Sequence, residues 1–191
     1  MLFESLRLYL RKMTADDTTT YHRWRNDMEV MRTTNPAIDR YTWEDTEQFV
    51  RNVILGSSQS KSYMIIEKES ESPIGVTSLI NIDLKNRNAE CILDLGEKQF
   101  WGQGYGTEAL KLLLDYAFLE MNLHRVSLRV FAFNEKAIKL YQKIGFKQEG
   151  VSRQCIFRDG GWHDMIQMGI LQHEYVNSRR SASDFVHEPR P

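Results

Sequence analysis

Cysteine is scarce: the 191 residues include two, Cys91 and Cys155. Two cannot build a disulfide framework, so a reducing cytoplasm is expected rather than secretion. Neither sign of charge dominates, with 25 Lys and Arg against 26 Asp and Glu and a formal net charge of −1. Binding driven by nucleic-acid phosphate wants a strongly basic face, so no nucleic-acid partner is expected. No stretch approaches the roughly 20 apolar residues that span a bilayer, and no membrane partner is expected. The opening MLFESLRLYLRKM also lacks the apolar run of a signal peptide. The histidines at 22, 124, 163, 173 and 187 show no ligand spacing, so no metal is expected.

Hydrophobic residues make up 41% and charged residues 27% of the chain, an ordinary globular balance. The length fits one domain, taken as 1–176. The remainder, 177–191 (NSRRSASDFVHEPRP), has no apolar period and reads as a flexible tail.

Periodicity orders the elements. Leu6, Leu8 and Leu10 alternate with basic residues as in a half-buried strand. Thr14 with Asp17, and Thr42 with Asp45, pair a hydroxyl and a carboxylate as helix starts do. The first helix runs to about Asn26, and Met28 to Tyr41 reads as irregular, broken at Asn35-Pro36. The second helix places Phe49, Val50, Val53 and Ile54 on one face. Ser62–Lys68, Ile74–Leu84 and Asn88–Leu95 form an antiparallel meander. After a glycine-rich loop, Leu110, Leu113, Leu114, Ala117, Phe118 and Met121 recur with helical spacing. A strand over His124–Phe131 follows, then a helix over Asn134–Ile144 stopped by Gly145. A closing hairpin turns at Arg158-Asp159-Gly160-Gly161. The order is strand, two helices, three strands, helix, strand, helix, two strands: a mixed α/β domain on one sheet.

The sharpest local signal is Trp101-Gly102-Gln103-Gly104-Tyr105-Gly106-Thr107, between a strand and a helix. Glycines permit positive φ and close approach of a ligand to the main chain. Helix N-terminal N–H groups carry partial positive charge and attract phosphate. A strand-to-helix turn also uses glycine for purely structural reasons. A P-loop would need Gly-Lys-Ser/Thr, but Gly106 is followed by Thr107 and Glu108. A dinucleotide fold would need an acid after the next strand, which ends Phe131-Ala132-Phe133-Asn134.

Together, WGQGYGTEAL and the later NEKAIKLYQKIGF resemble the GNAT acyl-CoA N-acyltransferase superfamily. Within it the chain is similar to the RimJ/RimL-type branch of ribosomal-protein and spermidine N-acetyltransferases. Glu149-Gly150 and Asp159-Gly160-Gly161-Trp162-His163-Asp164 fit that branch too. The resemblance implies a single mixed, mostly antiparallel sheet with splayed central strands and flanking helices. It implies acetyl-CoA as co-substrate, entering between the fourth and fifth strands. The pantetheine would pair with backbone at Asp94, Leu95 and Gly96. The pyrophosphate would sit on main-chain N–H groups of the loop, from Gly102 and Gln103 through Gly104, Tyr105 and Gly106 to Thr107. Trp101 belongs to this implied cofactor site too, where it departs from the Gln or Arg often found at its place. Asn134, Ala137 and Tyr141 would flank the rest of the cofactor.

The implied reaction is direct attack of a primary amine on the thioester in a ternary complex. Tyr141 matches the family's general acid, since a phenol keeps its proton at neutral pH. Glu90 matches a glutamate found in many relatives, and a partly buried glutamate could accept the proton, directly or through water; strand alternation could equally turn it outward as a plain surface acid. Cys91 reads as a buried apolar thiol. Trp24, Trp43 and Trp162 could line a substrate mouth or simply pack. Glu29, Asp39, Glu44, Asp45 and Glu47 concentrate acid near the first helices, which would attract a cation or merely cap the helices. The acceptors considered are a peptide or ribosomal-protein N-terminus first, then a polyamine, then a small amino compound. The alternative is a non-catalytic acyl-CoA-binding sensor module on the same fold. A homodimer is a further expectation.

Overall fold

The computed structural model describes residues 2–184, with side chains to Arg179. Its sheet strands are β1 (Leu8–Lys12), β2 (Lys61–Glu67), β3 (Ser72–Asp83), β4 (Asn88–Leu95), β5 (Arg125–Phe131), β6 (Lys147–Arg158) and β7 (Gly161–Leu171). They form one sheet in the order β1-β2-β3-β4-β5-β7-β6. Every neighbouring pair is antiparallel except β4 and β5. Between β1 and β2 lie α1 (Thr18–Arg25), α2 (Met28–Thr34) and α3 (Trp43–Phe49). The crossover from β4 to β5 carries α4 (Tyr105–Asp115), α5 (Glu135–Ile144) follows β5, and α6 (Gln172–Asp184) follows β7.

The sheet is covered on both faces. β2 sends Tyr63 and Ile65 into a core with Leu110, Leu113 and Phe118 of the α4 segment. It sends Met64 and Ile66 into a second core with Trp24, Val30 and Val50 from the α1–α3 side. The leucines of α4 are fully buried as their spacing requires, and the segment continues through a wider turn over Tyr116–Glu120. Both Thr-x-x-Asp capping boxes form, at Thr14/Asp17 and Thr42/Asp45. Gly145 ends α5 at φ +115°, a conformation that favours glycine. The β6–β7 hairpin turns on Asp159 (φ +52°) and Gly160 (φ +77°), the two left-handed residues of a tight hairpin loop.

Three local expectations need correction. Met28 to Tyr41 contains α2, because the Asp27 carboxylate accepts from the N–H groups of Glu29 and Val30 and caps a short helix ahead of Asn35-Pro36. Leu6 does not belong to β1; it lies 91% exposed and the strand begins at Leu8. The tail does not begin at Asn177, since α6 runs from Gln172 to Asp184. Tyr175 anchors it, buried against Phe118 and donating to the Asp115 carboxylate at 2.7 Å. Residues 185–191 of the expected tail lie outside the described residues.

Candidate active site

β4 and β5 pair at three positions only: Asn88 with Arg125, Ala89 with Val126, and Glu90 with Ser127. Beyond Glu90 and Ser127 the strands separate. β4 continues along β3 to Leu95, and β5 continues along β7 to Phe131. The result is a fork whose inner edges carry main-chain groups without an interstrand partner on that side, which a peptide-like ligand can satisfy.

The glycine loop closes one end of the fork. Gly102 and Gly104 take φ of +74° and +87°. A Cβ on Gly102 would meet nothing within 4 Å, so this face of the loop is open. Gly104 is the N-cap of α4, and no side chain caps that helix. Asp27, Thr42 and Asn134, in contrast, cap α2, α3 and α5 with their side chains. An 11-residue helix with a bare N-terminus behind an open glycine loop is suited to an anion.

Sequence reading missed what braces the loop. Arg7 donates to the Gln103 carbonyl at 3.1 Å and lies 4.2 Å above the Tyr105 ring. Its guanidinium also holds the Glu108 carboxylate at 2.6 and 2.8 Å, and the Ser5 hydroxyl adds 2.6 Å. These donors hold the Glu108 carboxyl below its ordinary value although burial opposes them. Glu108 sits in the first turn of α4, the one local hint of this role. Gly106 is buried under Leu140 of α5, with 3.2 Å between its would-be Cβ and Leu140 Cδ1. Thr107 is half-buried in the same turn.

On β4, Ala89, Cys91, Leu93 and Leu95 face the α4 core. By alternation Glu90, Ile92 and Asp94 face the α1–α3 side. Asp94 stands opposite Val76, which packs in that second core. The Leu95 carbonyl accepts the Trp101 indole N–H at 2.9 Å, and the Gly96 N–H donates to the Ile74 carbonyl at 3.0 Å. Trp101 thus replaces a loop side-chain contact with a brace on β4. Trp24 lies flat on Gly96, where a Cβ would come within 2.1 Å of the ring, and its indole N–H donates to Glu97 at 2.8 Å. Trp43 and Trp162 are instead exposed.

Tyr141 enters from α5, buried and edge-on to Phe146. Burial raises its pKa, and the nearby Cys91 and Asp94 add to that, so its hydroxyl is a proton donor at neutral pH. Burial likewise keeps Cys91 a thiol. Asn134 spends its side-chain oxygen on the Ala137 N–H at 3.2 Å, which fixes the start of α5 beside the fork. Glu90 marks the base of the fork. Its Oε1 accepts from Arg129 Nε at 2.8 Å, and the other oxygen has a long 3.4 Å contact from Asn81. A cavity of about 200 Å³ opens beside this pair, lined in part by Arg125, Ser127 and Gln167. The structure therefore brings together the loop, the β4 end, Asn134, Ala137 and Tyr141, and places Glu90 at the fork base in an ion pair.

Residues 7–147 match the acetyltransferase (GNAT) domain family. This chain belongs to the GNAT acetyltransferase family. It is 31% identical to the spermidine N(1)-acetyltransferase of Escherichia coli over 185 residues, 94% of each chain. A putative ribosomal N-acetyltransferase of Bacillus subtilis is 37% identical over 105 residues, covering 55% of this chain and 57% of that one. The solved spermidine N-acetyltransferase of Vibrio cholerae, in complex with CoA and spermine, superposes with a TM-score of 0.81 at 27% identity, over 91% of this chain and all of that one. The same V. cholerae enzyme has also been solved as a dodecamer. The GNAT chain described here is an acetyl-CoA-dependent N-acetyltransferase with acetyl-CoA as co-substrate. The sensor-module alternative finds no support among these relatives. Among the described residues, no helix is long and apolar enough to cross a membrane.

Proposed function

We propose that this enzyme acetylates a cationic primary amine, with a polyamine as the first choice of acceptor. The observation carrying this reading is the end-to-end similarity to spermidine acetyltransferases, 94% of both chains in the E. coli case. It reverses the order expected from sequence, where a peptide N-terminus stood first. The acids near the first helices support a cation less than their number suggests. Glu29 pairs with Lys98, Glu47 with Arg51, and Asp45 is spent on its capping box. Asp39 and Glu44 are left exposed without an ion pair among the described residues.

In this reading the chain performs three tasks. The fork takes the pantetheine between β4 and β5, and the bare N-terminus of α4 takes the pyrophosphate through main-chain N–H groups. Acetyl-CoA supplies the thioester when bound. The amine attacks directly from the α1–α3 side, and Tyr141 hands its hydroxyl proton to the departing sulfur. Two free cysteines, one buried and one exposed, suit work in the reducing cytoplasm. Self-association, at least to a homodimer, is part of the proposal and is read by sedimentation.

The test is thiol release from acetyl-CoA with spermidine, a peptide with a free N-terminus and a small neutral amine, at two salt concentrations. Spermidine is expected to lead, with kcat/KM falling as salt rises, because exposed charges are screened beyond about 8–10 Å at 0.1–0.15 M. Preference for the neutral amine would overturn the cationic-acceptor reading and leave acetyl transfer standing.

A further inference from the structure

The Glu149-Gly150 pair, which the fork does not use, borders the cavity of about 200 Å³ beside Glu90 and Arg129. The floor of this cavity is sheet. On β5, Val126, Leu128 and Val130 face the α4 core, so Arg125, Ser127 and Arg129 face the other side by alternation. Among the described residues, the α1–α3 core takes no side chain from β5, β6 or β7, so that core does not pack over this part of the sheet. Arg129 and Gln167 accordingly stay exposed. The volume equals roughly six or seven waters at about 30 Å³ each, which suits one arm of a small acceptor.

Two backbone features aim Glu149 into this cavity. The register of β6 on β7 slips between Gln148 and Gly150, so Glu149 is the extra residue of a bulge, and a bulge re-aims the side chain it carries. Beneath it, β7 has no side chain at Gly169: a Cβ there would come within 2.6 Å of both Glu149 carboxylate oxygens. The carboxylate therefore lies across β7, where it pairs with Arg125 of β5. That pair holds the Glu149 carboxyl below its ordinary value although burial opposes it. Two further oxygens beside it are uncommitted. Gln167 donates through Nε2 to Ser152 at 3.0 Å, and its Oε1, which accepts nothing among the described residues, lies where a Cβ on Gly150 would come within 2.9 Å of it. Ser127 donates its hydroxyl toward the Ala89 carbonyl at 3.4 Å and accepts nothing in return. A primary ammonium brings three donors and no acceptor. The carboxylate, the amide oxygen and the hydroxyl oxygen are an acceptor set of that kind.

We propose that this cavity is a second subsite of the acceptor: the far ammonium of a polyamine rests on the Glu149 carboxylate while the near amine is acetylated at the fork. This rests on the reading that a polyamine is the acceptor. Register sets the spacing. Glu90 pairs with Ser127, and Ser127 with Gly169, over which Glu149 lies. Two strand spacings, about 10 Å, separate the fork base from the subsite, within the reach of an extended polyamine and beyond that of a short monoamine. Arg125 competes with the ligand for the same carboxylate. Its pair with Glu149 is open to solvent, with 34% and 40% of the two side chains exposed, and exposed pairs of this kind contribute little to stability. An arriving ammonium can therefore displace the guanidinium into water without unsettling the sheet. No bond is made or broken in the subsite; it holds the acceptor in register with the fork.

The test measures kcat and KM for spermidine and for propylamine, by thiol release from acetyl-CoA, in wild type, Glu149→Gln and Arg125→Gln, together with the Tm of each. Glu149→Gln removes a charged acceptor, so the spermidine KM should rise by at least about tenfold. Because the subsite binds ground state and transition state alike, kcat for spermidine should stay within about twofold. The preference for spermidine over propylamine should fall by the same factor as the KM rises. Arg125→Gln removes the competitor and should lower the spermidine KM by about twofold to fivefold. The opposite signs separate a subsite from a brace between β5 and β6, which breaks in the same direction from either end. A spermidine KM that rises in both variants overturns the inference, as does an unchanged spermidine KM in Glu149→Gln. Should Glu149→Gln fail to fold, the direction of the KM change in Arg125→Gln decides alone. A wild-type enzyme that acetylates a peptide N-terminus and not spermidine overturns the polyamine reading and the subsite with it, whereas spermidine turnover that ignores Glu149 overturns the subsite only.

Discussion

The side proposed for the cofactor is drawn mainly from one stretch of chain, 88–145, from β4 through the glycine loop, α4, β5 and α5, and is braced from outside it by Ser5 and Arg7. The side proposed for the acceptor is joined from far apart. Arg158, at the end of β6, is buried and donates to the carbonyls of Arg32 at 2.6 Å and Asn35 at 2.8 Å. It caps the C-terminal end of α2 from more than a hundred residues away, while Arg32 pairs in return with Asp159 in the hairpin loop. Arg25, also buried, is caged by Tyr41 and Phe49 with one guanidinium nitrogen unpartnered. The contrast teaches where each kind of specificity is stored. A pyrophosphate is recognised by backbone geometry, which glycine and helix ends encode locally. An amine acceptor is recognised by the shape of a wall, which depends on two segments keeping their distance.

The comparison can be broken from the catalytic end first. Tyr141→Phe is expected to lower kcat by roughly 10²–10⁴-fold while calorimetry finds acetyl-CoA affinity nearly unchanged; full activity in the folded variant would remove Tyr141 from the mechanism. On the cofactor side, Gly104→Val puts a β-branched residue at φ +87°. It should weaken acetyl-CoA binding by at least about tenfold, on the order of 1.4 kcal/mol. Undiminished binding by the folded protein would misplace the phosphate site.

Arg158→Ala tests the acceptor side. Loss of its charged hydrogen bonds to carbonyls should cost about 2–4 kcal/mol, visible as a Tm lower by roughly 5–15 °C. The acceptor KM should rise while the Kd of acetyl-CoA holds. Equal damage to both would mean that the two sides are not separately built. The smallest effect concerns Asp94. Burial raises its pKa from the ordinary 3.8 toward about 7, but the side chain keeps partial access to solvent, which screens much of the cost. The folded state therefore prefers it protonated, and the destabilisation it causes begins above its unfolded value and is complete above about 7. The Tm of Asp94→Asn should gain on wild type by a few °C as pH rises from 4 to 8; a constant difference would show that Asp94 is not desolvated.

The same division explains what could be read from the chain. Gly102, Gly104, Asn134 and Gly145 each have a local conformational reason, and all sit where that reason requires. The α4 leucines declare a buried helix through spacing alone. α2 escaped because seven residues give too short a period and Asn35-Pro36 masks its end. α6 escaped because, among the residues whose side chains are described, it buries one strong anchor, Tyr175. Nothing local marks Arg7, Arg25 or Arg158 for its role, since their partners lie on other elements. Glu90 was legible as to place and ambiguous as to duty, and its ion pair with Arg129 is a tertiary fact.

The parting of β4 from β5 after three rungs has a thermodynamic consequence. A sheet left partly unzipped gives up ladder hydrogen bonds along both inner edges, and the proposed co-substrate site fills that gap. Binding of acetyl-CoA is then linked to folding itself. At a hundredfold excess over its Kd, a ligand that binds only the native chain adds about 2.7 kcal/mol of stability, a sizeable share of the 5–15 kcal/mol a domain ordinarily has. One limb of the fork ends the meander β1–β4 and the other opens the β5–β7 unit, so a ligand bound between them as proposed joins the two. With acetyl-CoA placed there as proposed, added acetyl-CoA is expected to raise the enzyme's Tm.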